Sequence, residues 1–357
     1  MNTILYIITP ILSLTLALIL MYPLRTFAIK INLVDKPNAR KIHKNKIPLI
    51  GGILIVVSSG LSLILSINFW NNMQEYYILV IGSILLLFIG IIDDKMDVKA
   101  ILKLIMQIAI AYFVFESGIK IDSLYGVFGI YQLPITVQYL LTLLIIVGVV
   151  NAFNLMDGID GLAAGLAIVG LSAYTYIAIL TSNYFLALIF ISVIGALIGF
   201  LRYNLSTKNK IFMGDAGSLV LGYLLVVSGI TLIQSAKSTT NISVTLAVVI
   251  GVLILPVADS IRVYRRRIKN GNSPFDPDKT HIHHLMLLYN IKHKTASLMI
   301  TLFSISLLTL SVVFGSIFSI TITILSVLIL FAIASSILVI NKEIKVWKEK
   351  LLKLENQ

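Results

Sequence analysis

The stretch ITVQYLLTLLIIVGVVNAFNLMDGIDG, Ile135 to Gly161, runs a long apolar segment straight into Asn151, Asn154, Asp157, Gly158, Asp160 and Gly161. Residues 135–152 are enough to cross a bilayer core as a helix, which takes roughly 17–25 residues. The polar cluster begins where that helix must end. A helix terminus by itself needs one Asn or Gly. Two amides and two carboxylates beside the bilayer are expensive to keep there and point to a ligand.

The rest of the chain repeats this pattern. Of 357 residues, 58% are hydrophobic and only 12% charged, and the mean hydropathy is +0.98. A soluble domain carries about 25% charged residues, and no short-strand alternation suggests a barrel. The expected fold class is therefore all-α: a polytopic membrane protein of about eleven transmembrane helices. The apolar stretches are 3–24, 49–69, 77–92, 101–119, 135–152, 161–181, 184–201, 218–234, 242–260, 296–314 and 319–340. The first lacks a basic start and a small-residue cleavage site, so it reads as a retained helix rather than a signal peptide. With no cysteine, thiol catalysis, thiolate metal sites and disulfides are excluded.

The net charge of +12 is first a topology signal, and no nucleic-acid partner is expected. Connections after odd-numbered stretches hold 26 of the 28 Lys and Arg, counting Lys103 at the mouth of the fourth stretch; those after even-numbered stretches hold only Lys120 and Lys237. By the positive-inside rule the N-terminus lies outside and the C-terminus in the cytoplasm. One membrane domain, 1–340, then carries cytoplasmic loops at 25–48, 93–103, 151–161, 202–218 and 261–294. A short amphipathic Lys/Glu tail, 341–357, follows it, and the outer connection 120–134 reads as a small hairpin.

Every polar cluster falls on the cytoplasmic side of this scheme. Asp93, Asp94 and Asp97 repel one another unless a cation or protonation intervenes. Mg²⁺ bound through one or two carboxylates plus phosphate oxygens suits such a group. Lys99, Lys103 and Gln107 follow on one helix face, placed to meet phosphate or to snorkel. Phe212-Met213-Gly214-Asp215 precedes another apolar helix and reads equally as a cap region. His281, His283 and His284 lie in the largest inner loop with Lys279. Arg262, Arg265, Arg266 and Arg267 anchor topology, with one or two free to clamp a diphosphate. The basic loop 35–48, containing Lys44, attracts anions. Together these groups suit phosphoryl transfer between a soluble nucleotide compound and a lipid phosphate. The competing class is an ion-coupled transporter, which would place its charges in broken helices near the bilayer midplane.

These motifs, Asp-Asp-x-x-Asp, Asn-x-x-Asn-x-x-Asp-Gly-x-Asp-Gly, Gly-Asp-x-Gly-Ser and His-x-His-His, resemble those of the polyprenyl-phosphate N-acetylhexosamine-1-phosphate transferases. The match runs in order from Asp35 to His284. His-x-His-His and eleven spans resemble the bacterial undecaprenyl-phosphate N-acetylglucosamine-1-phosphate branch, which primes O-antigen, common antigen, teichoic acid or capsule. The muramoyl-pentapeptide branch has His-His-His and Pro-Thr-Met-Gly-Gly, where this chain has Pro48-Leu49-Ile50-Gly51-Gly52.

The resemblance implies UDP-N-acetylglucosamine as donor, or another UDP-N-acetylamino sugar, and undecaprenyl phosphate as acceptor. Mg²⁺ is the implied cofactor, with Mn²⁺ as a substitute, and the site is a cytoplasmic one in the bacterial inner membrane. A homodimer is compatible with it. It implies catalytic roles for Asp93, Asp94 and Asp160, and metal binding by Asp215 with Asn154. Substrate contacts fall to Lys44, Lys103, Asn151, Asn154, Asp157, Lys279, His281, His283 and His284, and Phe212 would stack on uracil.

Overall fold

The structure is a computed structural model describing residues 3–35, 46–65, 69–237, 242–273 and 280–355. The long helices are α1 (Thr3–Lys30), α3 (Phe69–Met96), α5 (Ile135–Asn154), α6 (Leu162–Leu180), α7 (Tyr184–Asn204), α8 (Gly214–Ala236), α9 (Ile242–Lys269), α11 (His293–Ile317) and α12 (Ile320–Glu355). Among the described residues, these nine are long and apolar enough to cross a membrane, so the chain is a polytopic membrane protein. The remaining two expected spans form shorter helices, α2 (Gly51–Ile64, 14 residues) and α4 (Ala100–Glu116, 17 residues). At 1.5 Å per residue they reach about 21 and 26 Å, against ~30 Å of hydrocarbon.

Helix ends alternate between two faces. At one face, the C-terminal end of α3 meets the N-terminal ends of α4 and α8, through Asp93–Lys103 and Asp94 to the Asp215 N–H. The end of α5 meets α8 there as well, through Asn154 and Ser218. At the opposite face, Gln234 near the end of α8 donates to the carbonyls of Gly118 and Lys120, just past α4. Tyr6 in α1 donates there to the carbonyl of Tyr184.

The connection 120–134 is the expected hairpin, with β3 (Ser123–Val127) antiparallel to β4 (Ile130–Gln132). It is tied to α12 by Thr321 Oγ1, which receives the Phe128 N–H, and to α8 by the Lys237–Asp122 ion pair. A second two-residue pair, β1 (Val34–Asp35) with β2 (Ile47–Pro48), joins α1 to α2. The amphipathic tail is helical and continues α12 unbroken to Glu355, since no Gly or Pro interrupts its Lys, Glu and Leu.

Helix α8 is the hub and is buried on nearly every side, while α1 and α12 keep rows such as Ile4, Ile8, Ile11 and Ile329, Ile333, Ile337 exposed, as lipid contact requires. Within lipid, helices associate by close packing of small residues. Gly90 of α3 shows it: a Cβ there would sit 2.2 Å from the Ala216 Cα. That approach is what brings Asp93 and Asp94 onto the start of α8.

Candidate active site

Asp94 receives the backbone N–H groups of Asp215 (2.9 Å) and Ala216 (3.3 Å). It therefore caps α8 from a neighbouring helix, satisfying donors a helix start leaves open and complementing the positive end of its dipole. Asp93 is nearly buried and accepts from the Val98 N–H (2.8 Å) and from Lys103 Nζ (2.6 Å). Lys103 Nζ also lies 3.5 Å from Asp215 Oδ2, so one ammonium bridges carboxylates from two helices. Asn154 donates to Ser218 Oγ (2.9 Å), one turn into α8 from Asp215.

Among the described residues, no such cation pairs with Asp157, in the turn after α5. Burial, then the charges of Asp215, Asp94 and Asp160, hold its carboxyl well above the usual carboxylate range. Among the described residues no three His, Asp or Glu side chains form a ready metal cage. The donor set still fits Mg²⁺, which takes one or two carboxylates and completes its shell with phosphate oxygens and water. Asp215 and the side-chain carbonyl oxygen of Asn154 are hard donors, and among the described residues Lys103 is shared between the carboxylates of Asp93 and Asp215.

A second group flanks the first. Asp160 pairs with Lys210 Nζ at 2.5 Å, and His293 Nδ1 lies 4.0 Å away. Lys210 Nζ also stands 5.2 Å from the centre of the Phe212 ring. Asn204 holds this region together: its side chain accepts from the Gly161 N–H (2.7 Å) and donates to the Ile211 carbonyl (2.9 Å). The Phe212 segment is further fixed by backbone bonds from Phe212 N–H to the Pro48 carbonyl and from Gly51 and Gly52 N–H to Phe212 and Met213. The end of the basic loop is thus pinned beside the acids.

The histidines follow on α10 (Ile282–Leu287) and its cap. His281 Nδ1 meets Asp259 Oδ2 at 2.8 Å, and its Nε2 is buried with no partner among the described residues. His283 is buried with neither ring nitrogen bonded among the described residues, and burial, then the neighbouring histidines, push its imidazole down to about 3. It lies against Gly158, where a Cβ would come within 2.1 Å of Nε2. Only glycine admits the ring so close, and this contact joins the His-x-His-His segment to the Asp-Gly-x-Asp-Gly turn.

The structure thus brings Asp93, Asp94, Lys103, Asn154, Asp157 and Asp215 together, with Asp160 and Phe212 on one flank and the histidines on another. Asn151 is placed differently: its amide N–H groups reach Gln107 Oε1 (2.5 Å) and the Val147 carbonyl (2.8 Å), joining α5 to α4. Asp97 is exposed, in the turn that ends α3. Arg262 points at Asp259 and the Thr280 carbonyl. Lys44 and Lys279 lie outside the described residues.

The sequence reading passed over Asp259, Lys210, Asn204 and His293. Asp259 carried a signal, being the sole acid in the apolar helix that ends in the arginine run. Lys210 and Asn204 sit in a connection that looks like any solvated loop.

A model of glycosyl transferase family 4 matches residues 76–233. The probable undecaprenyl-phosphate N-acetylglucosaminyl 1-phosphate transferase of Bacillus subtilis (strain 168) is 35% identical over 305 residues, covering 84% of this chain and 83% of that protein. The undecaprenyl-phosphate alpha-N-acetylglucosaminyl 1-phosphate transferases of Salmonella typhi and Escherichia coli (strain K12) are 33% and 32% identical, each over 78% of this chain and 75% of theirs. With identity at this level across most of both chains, and its shared segments carrying the converged carboxylates, the chain belongs to glycosyl transferase family 4 and is a transferase of that family.

Proposed function

We propose that the chain transfers N-acetylglucosamine 1-phosphate from UDP-N-acetylglucosamine to undecaprenyl phosphate, releasing UMP and forming the first lipid-linked intermediate of an envelope polysaccharide. The observation that carries this reading is the meeting of Asp93, Asp94, Asp157 and Asp215 at one face of a membrane bundle, with Lys103 bridging Asp93 and Asp215. Such a site suits a reaction whose substrates are a lipid phosphate and a water-soluble diphosphate.

A phosphate monoester loses its second proton near pH 6, so the acceptor already carries a strong nucleophile at neutral pH. Asp93, held by Lys103, orients that phosphate and takes up any remaining proton, and Lys103 offsets charge between the two substrates. An oxygen of the lipid phosphate forms a bond to the sugar-bearing phosphorus. The bond from that phosphorus to the bridging oxygen breaks, and the electron pair leaves with UMP. The sugar C1–O bond stays intact, so the anomeric configuration is kept. Mg²⁺ held by Asp215 and Asn154 would neutralise charge on the diphosphate and the leaving group. Asp157 and Asp160 line the nucleotide side with Phe212, and Nε2 of His281 faces the sugar phosphate.

In this reading the face is cytoplasmic, as the Lys- and Arg-rich connections favour, and α2 and α4 complete eleven spans across the bacterial inner membrane. In membranes supplied with undecaprenyl phosphate and a panel of UDP-sugars, UMP release should be highest with UDP-N-acetylglucosamine. It should require a divalent cation and fall about 10²–10³-fold in Asp215→Asn and Lys103→Ala, the loss typical of removing one charge-stabilising group. Absence of turnover with every donor would refute the reading.

A further inference from the structure

Asp259 has no exposed surface and lies in the apolar wall of α9, where an unpaired carboxylate would be prohibitive. It has three partners: His281 Nδ1 (2.8 Å), Arg262 through one guanidinium nitrogen (2.6 Å), and the Ile282 N–H (3.2 and 3.3 Å). The same Arg262 nitrogen donates to the Thr280 carbonyl at 2.6 Å. Asp259 and Arg262 therefore pin the backbone on both sides of His281 as well as its ring.

A carboxylate only accepts, so the Nδ1 facing it must carry the proton. Nε2 is then the nitrogen left for a ligand, as a lone pair on the neutral ring or as N–H on the charged one. That nitrogen is buried and has no hydrogen-bond partner among the described residues. The ring is also stacked nearly parallel on His283, with centroids 5.8 Å apart and planes at 6°, and His283 abuts Gly158 in the turn that holds Asp157. Carboxylate, backbone and stacked ring together leave His281 one orientation and one tautomer.

We propose that Asp259 is a positioning residue for the transfer reaction, holding His281 so that Nε2 meets the sugar-phosphate portion of the nucleotide donor, with Arg262 as the counter-ion that keeps Asp259 charged. This rests on the function proposed above. A helix-bracing ion pair of Asp259 with Arg262 alone would leave no reason for the contact to His281. The two roles separate in a double-mutant cycle, because groups that act as a unit are not additive.

The test uses the full chain in detergent, with undecaprenyl phosphate and UDP-N-acetylglucosamine, and reads UMP release. Asp259→Asn should lower kcat about 10²-fold or more, as loss of an orienting carboxylate does elsewhere. KM for the nucleotide sugar should move by less than about threefold, as for an interaction made mainly in the transition state. The double variant Asp259→Asn/His281→Ala should be no slower than His281→Ala alone, and Asp259→Glu should recover part of the rate. Multiplying rate losses, or near-wild-type kcat in Asp259→Asn, would overturn the proposal. If Asp259→Asn does not accumulate folded, Asp259→Glu carries the same cycle with His281→Ala. Failure of the wild-type chain to release UMP would instead sink the function reading, and this one with it.

Discussion

At the scale of single residues, the carboxylates differ by what faces them. Asp94 is spent on the start of α8 and Asp93 on Lys103, whereas Asp157 faces other acids. Below the ordinary carboxyl value of 3.8, Asp157 is protonated whether the chain is folded or not. As pH rises past that value the unfolded chain ionises and the folded one resists, so the site subtracts stability until its own raised value is passed. His283 has the opposite sign: its stability contribution is present above 6.5 and lost as pH falls from there toward about 3. Without divalent cation, Asp157→Asn should therefore raise the midpoint of thermal unfolding at pH 8 by about 2–4 °C, the shift that ~1 kcal/mol gives in a chain of a few hundred residues. Most of that gain should vanish at pH 4. A midpoint at pH 8 no higher than wild type would contradict the like-charge argument.

At the scale of elements, the site depends on how closely α3 and α8 approach. Gly90 leaves no room for a side chain against Ala216, and the same crossing delivers Asp94 to the open N–H groups of α8. Gly90→Leu should overpack this crossing and cost about 1–3 kcal/mol, visible as a lower unfolding midpoint. Activity should fall with it, since Asp93 and Asp215 are carried on the two displaced helices. Gly60→Leu on α2 is the control: a Cβ there meets open space, so stability and UMP release should stay close to wild type. Equal losses in the two variants would show that the crossing is not the sensitive contact.

At the scale of the whole molecule, the alternating helix ends and the lopsided distribution of Lys and Arg describe one orientation. The chain contains no cysteine, so introduced thiols report sidedness without background. Thr207→Cys, in the exposed turn after α7, should react with a membrane-impermeant maleimide only in inside-out vesicles, and Phe128→Cys at the hairpin tip only in right-side-out ones. Labelling of both from one side would reject the topology. The bundle, its alternation, the hairpin within 120–134 and the grouping of Asp93, Asp94, Asp157 and Asp215 were legible in the sequence. Hydropathy and charge act locally along the chain, and a bilayer turns local order into sidedness. Partnerships were not legible. That Asp94 caps α8, that Asn151 braces Gln107, that Lys210 answers Asp160 and that Asp259 holds His281 each join residues from separate segments. Sequence determined that the charged clusters fall at the ends of membrane-length helices; only the packing of helices, through close crossings such as Gly90 on Ala216, decided which charge faces which.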